Sequence, residues 1–135
     1  MTSLKYILIP MAVIILSQTL KFIIYFIRSG KIDIIRFLDG MGGMPSSHSS
    51  FVASITTLIY LNYGLFSPLF AICLVFSLVT IYDAMGIRYE SGKQAQVLNK
   101  ITKGNLKESL GHKPIEVLVG VIFGIVMAVI FDMVI

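Results

Sequence analysis

Two histidines are the only imidazoles in this 135-residue chain, and each sits at the mouth of an apolar segment. His48 lies in Gly43-Met44-Pro45-Ser46-Ser47-His48-Ser49, and His112 lies in Gly111-His112-Lys113-Pro114-Ile115-Glu116. The serines precede an apolar run and suit a helix N-cap, where a hydroxyl oxygen accepts orphan amide hydrogens. The same amides, with the helix dipole, attract a phosphate. Gly42-Gly43 lets backbone come close to a ligand. His112 and Glu116 are four residues apart and share a helical face. Glu116 is therefore expected to bond one ring nitrogen and leave the other as a nucleophile or base. Plainer readings stay open: an ordinary cap beside an interfacial histidine, and a helix-start carboxylate favoured by the dipole.

Basic groups surround both motifs. Arg88 ends an apolar run, and its planar fork suits phosphoryl oxygens; it serves equally as a membrane-side anchor. Lys21 lies inside another apolar run, a costly position that is often functional unless the side chain snorkels to the interface. Asp83 is expected to pair with Lys21 or Arg88. The combined chemistry is phosphate handling. No glycine-rich nucleotide loop and no metal-ligand spacing occurs in the sequence. The single Cys73 allows neither an intrachain disulfide nor a thiol metal site.

These residues need a scaffold that suits hydrocarbon. The chain is 56% hydrophobic and 13% charged, with mean hydropathy +0.89, whereas soluble domains carry about 25% charge. The expected fold is all-α: one domain over residues 1–135, an integral membrane bundle of four transmembrane helices. A span takes about 20 helical residues. Four candidates run from about Tyr6 to Ile27, Ser49 to Tyr63, Pro68 to Gly86 and Ile115 to Ile135. The first is too long for a signal-peptide core. The short link at Asn62-Tyr63-Gly64-Leu65 makes spans two and three an antiparallel hairpin. Apolar spacing in Gln94–Ile101 predicts a short interfacial helix in the long basic loop. Gly120 and Gly124 read as a close helix-packing face.

Four spans put both basic loops, and hence both histidines, on one membrane face. The positive-inside rule makes that face cytoplasmic, with Lys5 as weak opposition. A bacterial-type plasma membrane is the expected location. The expected partners are the bilayer and a lipid-phosphate substrate, with a homodimer as an open option. No nucleic acid, cofactor or metal is expected.

Taken in order, Gly42-Gly43-Met44-Pro45-Ser46-Ser47-His48-Ser49, Asp83-Ala84-Met85-Gly86-Ile87-Arg88 and Leu110-Gly111-His112-Lys113-Pro114-Ile115-Glu116-Val117 resemble the divergent branch of the type 2 phosphatidic acid phosphatase (PAP2) superfamily. The likeness runs from Lys21 onward. It implies a metal-independent phosphatase acting on a lipid phosphate or diphosphate monoester, of isoprenyl or phosphatidyl type. His112 would be the nucleophile that forms a phosphohistidine, Glu116 its orienting carboxylate and His48 the general acid. Ser46, Ser47 and Arg88 would hold phosphoryl oxygens. Lys21 and Arg28 match the first-motif spacing, though Ser29 follows Arg28 where the family has proline; Arg36 is a rival cation. Ser47 replaces a glycine, Glu116 replaces an aspartate, and Arg88 stands 24 residues before His112, well beyond the family's usual short gap. These departures leave a second reading, a non-catalytic lipid-phosphate binder or transporter using the same pocket. Catalysis would need His112 neutral and His48 protonated, giving a bell-shaped pH profile.

Overall fold

Within hydrocarbon every backbone polar group must be satisfied internally, so the apolar stretches coil into helices. The computed structural model describes residues 3–32, 43–108 and 111–135; the expectation for Arg36 falls outside them. The described helices are α1 (Lys5–Ser29), α2 (Ser47–Tyr63), α3 (Pro68–Met85), α4 (Ile87–Thr102) and α5 (Pro114–Val134), and no strand occurs among the described residues. The all-α membrane bundle expected from composition is the fold observed. Local chemistry sets the boundaries. Gly30 closes α1 in the left-handed region, with φ of 65° and its N–H on the Phe26 carbonyl. Ser46 and Ser67 cap α2 and α3. Pro68 and Pro114 occupy first-turn positions, where no N–H is needed.

By length and composition α1, α5 and the run Pro68–Thr102 that contains α3 can each cross a bilayer. Helix α2 has 17 residues, or about 26 Å at the usual rise. It is the centre of the bundle, packed against α5, α3 and α1. That position explains its modest hydropathy. It buries Ser47, Ser49, Ser50 and Ser54 where the outer helices carry leucine and isoleucine. Small residues allow close backbone approach between membrane helices. Their hydroxyls are satisfied locally: Ser50 donates to the Ser46 carbonyl at 2.9 Å and Ser54 to the Phe51 carbonyl at 2.7 Å. Thr56 and Ser77 join α2 to α3 through a 2.7 Å hydroxyl pair, and Ser77 also donates to the Val52 carbonyl. Thr57, by contrast, donates within its own helix, to the Ala53 carbonyl at 2.8 Å.

The two ends of the bundle differ in character. At one end Ile9, Val13, Leu58 and Ala128 form an apolar core flanked by Tyr6, Phe123, Met127 and Phe131. That end closes with a polar knot. Lys5 Nζ lies 2.8 Å from Asp132 and donates to Asn62 Oδ1 at 2.7 Å. The knot brings together the start of α1 and the ends of α2 and α5. Helix α2 is therefore antiparallel to α1 and parallel to α5. Lys5 is matched by Asp132, so it no longer weighs against the charge asymmetry of the loops. Large apolar side chains such as Ile15, Ile72, Val75, Phe76 and Val79 point outward, as a lipid-facing surface requires.

The interfacial helix is longer than its apolar spacing predicts. It covers Ile87–Thr102 and begins directly after a break at Gly86. Arg88, Glu90 and Lys93 dilute the apolar signal in its first half. Gly92 and Ala95 are buried, while Ile87, Val97, Leu98 and Ile101 form an exposed apolar face.

The glycine pair of α5 is used inside the chain. A Cβ on Gly120 would meet the Ser46 backbone at 2.6 Å, and one on Gly124 would run into the Ser50 carbonyl. Gly124→Ala is expected to destabilise the protein by about 1–3 kcal/mol, the usual cost of overpacking. Unfolding in mixed detergent would measure it. Loss of a dimer with the protomer's stability unchanged would instead assign this face to self-association.

Candidate functional site

Four elements meet at the end of the bundle opposite the Lys5 knot. The start of α5 is pinned to the start of α2 by the Ser46 amide, which donates to the Glu116 carbonyl at 3.1 Å. The close approach at Gly120 makes that bond possible. Lys21 reaches in from α1 and donates to Ser47 Oγ at 3.0 Å. The residue is almost fully buried, at 8% exposure, and its methylene stem lies 3.5 Å from a Cβ position on Gly43. Gly43 has φ of +132°, which suits glycine alone. Lys21 thus points into the protein rather than snorkelling to the surface.

His112 precedes α5 and is 4% exposed. Its Nδ1 lies 3.3 Å from Glu116 Oε2, and the same oxygen accepts the Lys113 amide at 3.1 Å. The four-residue spacing thus brings the carboxylate to the ring, leaving Nε2 as the nitrogen available for chemistry. Burial lowers the pKa of His112 below its ordinary value, as does the charge of Lys21; Glu116 pulls it back up, and Arg88 lowers it further. The ring is therefore neutral at neutral pH.

Arg88 lies 24 residues from His112 in sequence, yet the two loops are in backbone contact. The His112 amide donates to the Ala84 carbonyl at 3.0 Å. A Cβ on Gly111 would meet that carbonyl at 2.5 Å and the Tyr89 amide at 2.7 Å, so only glycine fits between the loop and the α3–α4 junction. Asn99 folds the intervening chain back. It accepts the Leu106 amide and donates to the Leu106 carbonyl, both at 2.8 Å, and donates to Glu108 at 2.7 Å. Arg88 pairs through Nε with Asp83 at 3.0 Å and is half exposed. This is one of the two partners expected for Asp83.

His48 stands partly buried in the first turn of α2. The charges that bear on it are those of Arg88, His112, Lys21 and Asp83, which places it in the same electrostatic neighbourhood. Ser46 is fully buried. Its hydroxyl accepts from the Ser49 hydroxyl at 2.9 Å and from the Ser49 amide at 3.4 Å. Arg28 is apart from this cluster. It lines a cavity of about 290 Å³ between α1 and α5, together with Lys21, Lys113 and Glu116. Sequence reasoning missed Gly111, Asn99 and Lys113. A glycine directly before the key histidine was the one readable signal.

Residues 2–127 match the divergent PAP2 family. The chain belongs to that family. A relative from Bacillus subtilis (strain 168), YuiD, described as an uncharacterized membrane protein, is 38% identical over 141 residues, covering 89% of each chain. No solved structure shows a significant match. The departures of this divergent PAP2 chain from the wider pattern now have physical settings. Ser47 supplies a buried oxygen for Lys21 where glycine could not. The side chain of Glu116 is long enough to serve both the imidazole and the Lys113 amide. Gly111 and the Asn99 clip offset the long gap after Arg88.

Histidine NMR should place the His112 midpoint below about 6.5, the ordinary value. Lys21→Met removes a charge that disfavours the imidazolium and should raise the midpoint. Glu116→Gln removes a group that favours it and should lower the midpoint further. Shifts of the opposite sign would refute this electrostatic arrangement.

Proposed function

We propose that this divergent PAP2 protein is a membrane-embedded lipid-phosphate phosphatase working at the cytoplasmic interface. One observation carries the reading: a buried imidazole held through Nδ1 by Glu116, near a buried Lys21 on Ser47, with the preceding Gly111 packed against the Arg88 backbone. A neutral ring with one nitrogen fixed has the other free to attack. Cations around it stabilise charge on the equatorial oxygens of a phosphoryl group in transfer. The membrane setting favours a substrate with a lipid tail.

In this mechanism Nε2 of His112 attacks phosphorus and the bond to the leaving oxygen breaks. The leaving oxygen takes a proton from His48. Water then attacks the phosphohistidine, the N–P bond breaks, and inorganic phosphate leaves. His48 regains its proton from that water. Lys21, Arg88 and the α2 amides hold the phosphoryl oxygens, and Glu116 stabilises the ring as it becomes positive. Activity falls at low pH as His112 becomes protonated.

A second reading, a lipid-phosphate binder without turnover, has its own support. The Ser46 hydroxyl is taken by Ser49, its amide by the Glu116 carbonyl, and Arg88 by Asp83. Purified protein in nanodiscs decides between them. The phosphatase reading expects phosphate release from lipid phosphates, with at least about a 100-fold loss in His112→Ala and in His48→Ala. It also expects an acid-labile phosphoryl label on residue 112. Binding without release would establish the second reading. Release undiminished in both variants would remove the histidines from the mechanism.

A further inference from the structure

Among the described residues, helix α4 packs against no helix except α3. Its faces divide by character. At about 100° per residue, Ile87, Val97, Leu98 and Ile101 fall within an arc of about 100°. All four are exposed. Gly92 and Ala95 are buried on another face, which Arg88 and Asn99 share. Lys93 and Lys100, seven residues apart, form one row along the edge of the apolar stripe. Lys103 follows at the C-cap. Glu90 lies within the stripe, and Lys93 meets it at 3.6 Å.

The stripe continues a surface that already faces lipid. Val75, Phe76, Val79 and Tyr82 point outward from α3, and α4 begins directly after the break at Gly86. Tyr82 and Ile87 line one open groove across that break. The charges of Arg88, Glu90, Lys93 and Lys100 bar α4 from the hydrocarbon core. It therefore runs along the boundary, with its apolar stripe toward the acyl chains. A zwitterionic surface would satisfy that stripe and leave the lysines without a counter-charge. Anionic headgroups satisfy both.

Helix α4 is also tied at both ends to the segment that carries His112. At its start, Gly111 fits against the Ala84 carbonyl and the Tyr89 amide, and the His112 amide donates to that carbonyl at 3.0 Å. Arg88 is held there by Asp83 at 3.0 Å. Near its end, Asn99 bonds the amide and the carbonyl of Leu106 and the side chain of Glu108. Displacing α4 therefore displaces the loop before His112. We infer that α4 is a docking face for an anionic leaflet, and that its seating there holds the Gly111–His112 segment against the α3–α4 junction. The surface charge of the membrane thereby governs the position of the histidine. No step of the proposed chemistry enters this inference.

The test uses full-length protein at one copy per nanodisc and involves no turnover, so it stands or falls separately from phosphatase activity. The discs hold phosphatidylcholine alone or with about 30% phosphatidylglycerol. An environment-sensitive fluorophore on Val97→Cys, in a Cys73→Ser background, reports seating of the stripe. Deuterium exchange at the His112 amide reports the coupled loop. The anionic discs are expected to blue-shift the emission and to slow that exchange by about 10-fold. Added salt should reverse both effects. Lys93→Gln and Lys100→Gln should each cut the seated-to-unseated ratio by about 5-fold, and Ile101→Asn should prevent the blue shift. In phosphatidylcholine discs the lysine variants should match the wild type in both readings, which shows that they fold. Identical emission in the two lipids would overturn the inference, as would a lipid-dependent emission with unchanged exchange at His112. Shielding of residue 97 only when two copies share a disc would overturn it too, by making the occupant a second copy of the chain.

Discussion

The Ser46 amide can donate to the Glu116 carbonyl because α5 lies with its backbone against α2. Gly120 and Gly124 create that contact, and the serines of α2 accept it. Everything at the site follows from it. Glu116 is fixed next to the α2 N-terminus, so His112 and His48 lie at the same end of the bundle. Lys21 can then reach Ser47 from the third side. Polar side chains gather at this end, while the apolar core built on Ile9, Val13 and Leu58 holds the other. One helix contact therefore serves both as the main packing surface and as the template for the chemistry.

Burying Lys21 carries a desolvation cost, which its bond to the Ser47 hydroxyl offsets in part. The cavity beside it and the Glu116 carboxylate reduce that cost. The lysine also lowers the proton affinity of His112, adding to the larger effect of burial. Glu116 opposes that effect while holding Nδ1. In the proposed mechanism the same carboxylate stabilises positive charge once a bond forms at Nε2.

The four apolar runs, the α2–α3 hairpin and the His112–Glu116 pair were legible because each depends on near neighbours in sequence. Hydropathy and four-residue spacing are local properties. The extent of α4 was less legible, since Arg88, Glu90 and Lys93 interrupt its apolar face before Gln94. The approach of Arg88 to His112 was implied by the resemblance and the shared membrane face, but the means of it could not be read. It depends on Gly111 fitting under the Ala84 carbonyl and on Asn99 clipping the chain near Leu106, and both are long-range fits. Arg28 was legible through its spacing from Lys21, and the folded chain sets both on the wall of one cavity. The glycine pair of α5 was recognised as a packing face, but only the fold shows that its partner is α2.

The knot of Lys5, Asn62 and Asp132 joins side chains from the first, second and last described helices. A ribosome delivers them in that order, and Asp132 comes last by a long interval. Until then the early helices meet at that end through the Lys5–Asn62 bond, the Tyr6–Tyr63 ring contact and the packing of Ile9 and Val13 on Leu58, without the Asp132 carboxylate. Arrival of the final helix supplies the carboxylate and clasps three strands of the assembly at once. The clasp therefore distinguishes a finished bundle from a partly inserted one.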